Sequence, residues 1–239
     1  MDTYASNTAL YQDPSVIETV DYARRWHRQE LCNDGAPGPH VTAKSTILAP
    51  HGGGIEPGTS ELCLAIAGYH PATLDTIHTA VRDYWMFEAV RRSNNAPLHV
   101  TSTHCDDGVA LSLCGGSLNA LAVHGFDAAQ AGLPDDAQVV VVGGRSTALN
   151  DALRARLAEA QIQTTDAVPS LDGNNAVNIA NRTLLGMGSQ LELSGALRKA
   201  MFTTNTIAHR KDTTTELFWT FTAACRNALA QLEATQSIL

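Results

Sequence analysis

Residues 45–67, STILAPHGGGIEPGTSELCLAIA, decide how this chain folds. Ser45 to Pro50 (STILAP) is a short apolar run that reads as a buried strand. Thr59 to Ala67 (TSELCLAIA) opens with hydroxyl residues and a capping-type Glu61, the signature of a helix start. Between them lies a loop with three successive glycines, which turn the backbone without the penalty of a Cβ. Strand, tight loop and helix in that order place the loop at the carboxyl edge of a sheet, where open α/β folds bind their ligands.

The same alternation continues outward. Leu98 to Thr103 (LHVTST), Leu118 to Val123 (LNALAV), Gln138 to Val142 (QVVVV) and Ser189 to Leu193 (SQLEL) read as strands. Leu149, Leu153 and Leu157 mark one helix face, and Leu217, Phe221, Ala224, Ala228 and Leu232 mark another near the C-terminus. A helix-like stretch around Ser15 to Glu30 and the turn-rich Asn33 to His40 (NDGAPGPH) make residues 1–40 a lead-in to a single domain spanning 1–239. The predicted fold is α/β, with a mixed, mostly parallel sheet flanked by helices.

Composition narrows the function. The 239 residues are 44% hydrophobic and 17% charged, enough to bury one substantial core. A net charge of −8 argues against a general nucleic-acid partner, which needs clustered cations. No run of about 18 apolar residues and no basic, apolar leader occurs, so a cytoplasmic protein without membrane contact is expected. Five scattered cysteines fit neither a disulfide framework nor a thiolate zinc site and suit a reducing compartment.

In the glycine loop His51 is the first residue out of the strand, and Glu56 follows five positions later, so the loop can fold both toward one point. Imidazole and carboxylate are good zinc ligands, whereas a plain tight turn or a phosphate cradle would leave both in solvent. A third ligand is offered by His124 at the end of LNALAVHG, with His104 in STHCDD as the competitor. Glu192 stands inside the apolar strand QLELS, on the face opposite Leu191 and Leu193, where it either meets solvent or serves as general base beside a metal. Arg182, in NIANR just upstream, suits a substrate carboxylate.

HGGGIEPGTSE, the later AVHG, NIANR, and GSQLELS followed by LRKAMF together resemble the phage-type poly-γ-glutamate hydrolase family, also labelled phage-related replication proteins. The resemblance covers about Ser45 to Phe202. It implies a fold similar to zinc carboxypeptidases, one Zn2+ per chain, and hydrolysis of γ-glutamyl amide bonds in an anionic glutamyl polymer or peptide. Residue by residue it implies His51, Glu56 and His124 as metal ligands, Glu192 as the base, and Asn181 with Arg182 as the carboxylate-binding pair. A polyanionic substrate on a chain of charge −8 further requires a local positive cleft, for which Arg145, Arg182, Arg198 and Lys199 are the candidates.

Two other classes compete. Val139 to Gly144 (VVVVGG) before a helix has the order of a phosphate cradle, and so of a nucleotide-binding or interaction module, but lacks GxGxxG spacing and a Walker lysine. A cysteine hydrolase would use Cys105 or Cys114. His27, His70, His78, His99 and His209 read as ordinary surface or core imidazoles, and Tyr84, Trp85 and Phe87 as packing. Should Glu192 fail as the base, Glu61 or Asp106 is next.

Overall fold

The structure, a computed structural model, describes residues 2–29 and 45–236; the NDGAPGPH turn segment lies outside them. In chain order the elements are α1 (Asn7–Tyr11), β1 (Tyr22–His27), β2 (Ser45–Gly53), α2 (Thr59–Ala67), β3 (Asp83–Ala89), α3 (Gly108–Gly115) and β4 (Asn119–Phe126). They continue with β5 (Val140–Gly143), α4 (Thr147–Glu159), β6 (Thr164–Asp166), β7 (Ser189–Ser194), α5 (Gly195–Ala200) and α6 (Glu216–Glu233). One sheet holds the strands in the order β1-β3-β2-β4-β7-β5-β6. The pairs β3/β2, β2/β4, β4/β7 and β5/β6 are parallel, while β1/β3 and β7/β5 are antiparallel. The sheet is therefore mixed and mostly parallel, as the alternation of strands and helices predicts.

Period-two alternation divides the side chains between two cores. Ile47, Ala49, Leu121, Val123, Leu191 and Leu193 face α2, α4 and α6. Leu48, Trp85, Phe87, Ala120 and Ala122 face the other way, against α1 and α3. α4 buries Leu149, Leu153 and Leu157, as their fourfold spacing requires. α6 packs a slightly rotated face: Phe218, Phe221, Cys225 and Leu229 are buried, whereas Leu217 and Leu232 are only partly covered. No helix among the described residues is long and apolar enough to cross a membrane.

Several stretches differ from the sequence reading, among them β6 and α3, which it did not place. The helix-like stretch around Ser15 to Glu30 is, over its described residues 15–29, a turn followed by β1, because Asp21 ties back to the Ile17 amide and Thr19 adopts a left-handed φ of 73°. From there Tyr22 stacks on Phe87 across the antiparallel pair. Leu98 to Thr103 is not a strand: two short 3-10 turns, Ala96–Leu98 and Ser102–His104, bracket an extended link without a ladder partner. β3, DYWMFEA, is buried along its whole length and so shows no alternation to mark it.

Candidate metal centre

His51, Glu56, His124 and Glu192 meet on the α3 face of the sheet, and a bulge brings His51 there. Strict alternation would send His51 to the same face as Ile47 and Ala49. In the ladder with β3, however, Ala49 pairs with Met86 and Gly52 with Glu88, so β2 spends one extra residue. Such a bulge re-aims the side chain beside it. It depends on glycine: Gly53 has a φ of 67°, and a Cβ there would collide with the Ala89 carbonyl. The loop then turns back, the Glu56 amide bonding the His51 carbonyl at 2.9 Å. His124 on β4 and Glu192 on β7 are direct register partners.

The hydrogen bonds orient the imidazoles. His51 Nε2 lies 2.9 Å from the Val100 carbonyl, which only accepts, so Nε2 carries a proton and Nδ1 is the nitrogen turned toward Glu56 and His124. That Nδ1 is 2.8 Å from Glu56 Oε1 and 3.1 Å from His124 Nδ1. His124 Nδ1 is in turn 3.6 Å from Glu56 Oε2, and its Nε2 meets Ser102 Oγ at 3.2 Å. Glu56 Oε2 also accepts the Gly125 amide at 2.9 Å. Two imidazole nitrogens and a carboxylate thus converge. His99 joins them: its ring lies 4.0 Å from that of His51, and His51, Glu56 and His99 offer donor atoms within 4.8 Å of one another.

Burial alone would lower the pKa of His51, but the adjacent Glu56 carboxylate overrides it and raises the pKa above the ordinary value. Burial works the opposite way on Glu56, whose pKa is nonetheless held far below the usual carboxylate range by His51 and His124. Glu192 behaves differently. Burial pushes it up to about 7, with His124 pulling down and Glu56 pushing up. Its Oε1 accepts from Gln190 Nε2 at 3.1 Å, and Gln190 Oε1 accepts from Asn178 Nδ2 at 3.0 Å, which fixes the Gln190 amide with its donor toward Glu192. These groups line a cavity of about 380 Å³ together with Pro169 to Gly173. An adjoining cavity is lined by Glu56, His99, Gly125 and Arg198. Arg198 is anchored there by Nε to the Leu193 carbonyl at 3.2 Å and Nη1 to the Pro57 carbonyl at 3.0 Å.

Other residues singled out from the sequence lie elsewhere. β5 runs antiparallel to β7, so the turn after it, with Arg145, is at the amino end of β7, and Arg145 is exposed. Arg182 is exposed on that same side of β7. Asn181 is buried and fully engaged: its amide donates to the Gly173 and Asn175 carbonyls, and its oxygen accepts from Gly188. Lys199, beside Arg198 on α5, lines neither cavity. His104 leaves the cluster to the other imidazoles and sits 3.7 Å from Asp2. Glu61 pairs with buried Arg210, and Asp106 accepts the Thr8 amide. The VVVVGG turn holds no anion cradle, because the amides of Gly144, Arg145 and Ser146 bond to Asp172, Asn181 and Gly188. Cys105 and Cys114 are buried, and burial pushes both thiols up, Cys114 to about 12, which removes the thiolate a cysteine hydrolase needs. His99, Ser102, Gln190 and Asn178 are the site residues that the sequence reading lacked; only Gln190, sharing the strand face of Glu192, carried a local signal.

The sequence pattern of the poly-gamma-glutamate hydrolase family matches residues 38–224. The SPbeta prophage-derived protein YoqZ of Bacillus subtilis (strain 168) is 32% identical over 225 residues, covering 90% of this chain and 73% of its own length. YndL of the same organism is 30% identical over 204 residues, covering 81% and 73%. Among solved structures, a bacteriophage poly-gamma-glutamate hydrolase superposes with a TM-score of 0.81 at 26% identity, over 99% of this chain and 100% of that one. A zinc-free structure of YndL superposes with a TM-score of 0.77 at 26% identity, over 97% and 99%.

Proposed function

The chain belongs to the poly-γ-glutamate hydrolase family, and from that premise we propose that it is a zinc-dependent amide hydrolase of γ-glutamyl linkages, with one zinc ion held by His51, Glu56 and His124. The carrying observation is the convergence of three electron-pair donors, the Nδ1 atoms of His51 and His124 and the Glu56 carboxylate, within 2.8 to 3.6 Å. A proton shared between His51 and Glu56 satisfies that pair as it stands, and a zinc ion would take its place among the same three groups. The set of two imidazoles and one carboxylate, each imidazole with its other nitrogen tied to an outer partner, is the chemistry of hydrolytic zinc sites.

When bound, zinc supplies Lewis-acid polarisation of the scissile carbonyl and lowers the pKa of water at its open position. Glu192 does the proton work. Its carboxylate, poised near neutrality by burial, takes a proton from the attacking water as the new C–O bond forms. It returns that proton to the amide nitrogen as the C–N bond breaks, leaving a carboxylate and an amine. Gln190 keeps Oε1 of Glu192 engaged, so Oε2 is the atom that cycles the proton. Arg198 is the cation for a substrate carboxylate: Nε and Nη1 are fixed on backbone carbonyls, and Nη2 has no hydrogen-bond acceptor among the described residues.

Zinc content and hydrolysis of poly-γ-glutamate, measured on the same samples, test this reading. Wild type is expected to hold one zinc per chain and to cut γ-linked in preference to α-linked polyglutamate. His51→Ala should lose metal and activity together. Glu192→Gln should keep metal and fold while losing about two to four orders of magnitude in turnover. A metal-free, active wild type overturns the zinc assignment; near-normal turnover of Glu192→Gln moves the base elsewhere.

A further inference from the structure

We propose that Asp2 is a positioning residue for the metal centre, acting through the link from His99 to Ser102. The inference rests on the zinc reading above. The link supplies the outer hydrogen bonds of both proposed ligand imidazoles: the Val100 carbonyl takes His51 Nε2–H, and Ser102 Oγ meets His124 Nε2. It belongs to no β-ladder, so the sheet does not fix it. Asp2, nearly a hundred residues away in sequence, does. One carboxylate oxygen accepts His99 Nδ1–H at 2.8 Å and the other accepts the Thr101 amide at 2.7 Å.

These two bonds straddle Val100 and immediately precede Ser102, so they set the height and tilt of both outer partners. They also orient His99, whose ring packs on His51 at 4.0 Å. Further along, the same N-terminal arm holds the segment again, with the Thr8 amide on Asp106 and the Tyr11 hydroxyl on Asp107. The Asp2 carboxyl is held below its ordinary pKa; its partial burial opposes this, and the Thr101 and His99 hydrogen bonds outweigh it. Removing outer partners of ligating histidines costs 10- to 100-fold in metal affinity. Asp2 acts one step further out, so an effect of about tenfold is expected.

The test is the zinc dissociation constant, measured by competition with a chelating dye, for the full chain and three variants. Asp2→Ala should weaken zinc binding about tenfold, and Asp2→Asn, which keeps one acceptor, by less. Asp13→Ala is the control: Asp13 also fixes the arm, through Tyr4 and Ser15, but does not touch the His99 to Ser102 link. It should bind zinc as wild type does. Equal affinity in Asp2→Ala and wild type, or equal weakening in Asp2→Ala and Asp13→Ala, overturns the positioning role while leaving the zinc reading intact. Failure of wild type itself to bind zinc overturns both.

Discussion

A buried carboxyl whose pKa is raised costs the folded state stability as the pH climbs past the pKa it has in the unfolded chain, and this makes Glu192 testable without any substrate. In the folded chain its pKa rises from 4.5 to about 7, burial being the largest cause. Below pH 4.5 the folded and unfolded chains both hold the proton and no penalty exists. Between 4.5 and about 7 the unfolded chain releases its proton while the folded chain keeps it, so stability falls with pH. Above 7 the penalty is complete. At 1.36 kcal/mol for each tenfold change in proton affinity, its upper bound is about 3 kcal/mol. Relaxation and water entry around a cavity-facing carboxylate bring the expected value to about 1–3 kcal/mol.

Glu192→Gln keeps the shape and the neutral form's hydrogen-bonding capacity but cannot ionise. The perturbation is therefore best read as the difference in unfolding free energy between variant and wild type, followed by urea denaturation from pH 4.5 to 8 in the presence of a chelator. Constant effects of the substitution cancel along that series. The difference should grow in favour of the variant by about 1–3 kcal/mol and level off above pH 7. A difference flat to within about 0.5 kcal/mol, or one that moves the other way, would refute the claim that Glu192 is poised near neutrality by its surroundings.

Arg198→Ala should raise KM for poly-γ-glutamate about tenfold or more, since a charged hydrogen-bonding partner contributes about 1.5–3 kcal/mol, whereas Arg145→Ala and Arg182→Ala should leave steady-state kinetics within about twofold of wild type, in line with typical surface substitutions; the reverse ranking would place the substrate on the other side of β7. Gly53→Ala should lower stability by at least about 1 kcal/mol, the cost of a left-handed conformation without glycine, and weaken zinc binding as well, because the clash with the Ala89 carbonyl disturbs the bulge that aims His51. Gly108→Ala, at the start of α3 with no atom within 4 Å of the added Cβ, should change neither zinc binding nor the fold, as denaturation and zinc titration of the two variants side by side would register.

What the sequence disclosed follows from the range over which each feature is determined. α2 appears over Thr59–Ala67, where its apolar run places it, but the hydroxyl cap does not form: Gly58 caps the helix at a left-handed φ of 103° with no side-chain bond, and Glu61 turns to Arg210. Glu192 was legible because the alternation of Leu191 and Leu193 with Gln190 and Glu192 is local, and it alone assigns the carboxylate to the face away from α2, α4 and α6. Arg145 lies away from the cavity, which its sequence context does not disclose, because the direction of a strand is not local. VVVVGG followed by a helix looks identical whether β5 lies parallel or antiparallel to its neighbour, and the antiparallel choice carries the following turn to the opposite end of the sheet. His99 and Ser102 were hidden by a different ambiguity, since LHVTST has strand composition and only its lack of a ladder partner turns it into a free link.

His51 shows both sides of the matter. Its residue type and its place after an apolar run mark it from the sequence, yet the period-two rule that locates Glu192 would put His51 on the wrong face. The inserted residue between Ala49 and Gly52 corrects this, and the glycines are the trace it leaves in the sequence. Gly53 sits at a positive φ under a neighbouring carbonyl, and a Cβ at Gly52 would also crowd Phe87 and Ser60, so the tract is demanded by the close approach of β3 as well as by the turn. A reading that credits those glycines with loop flexibility misses their role. They let β2 lie tightly against β3 while gaining a residue, and that gain turns an imidazole from the helix-packed core toward Glu56 and His124.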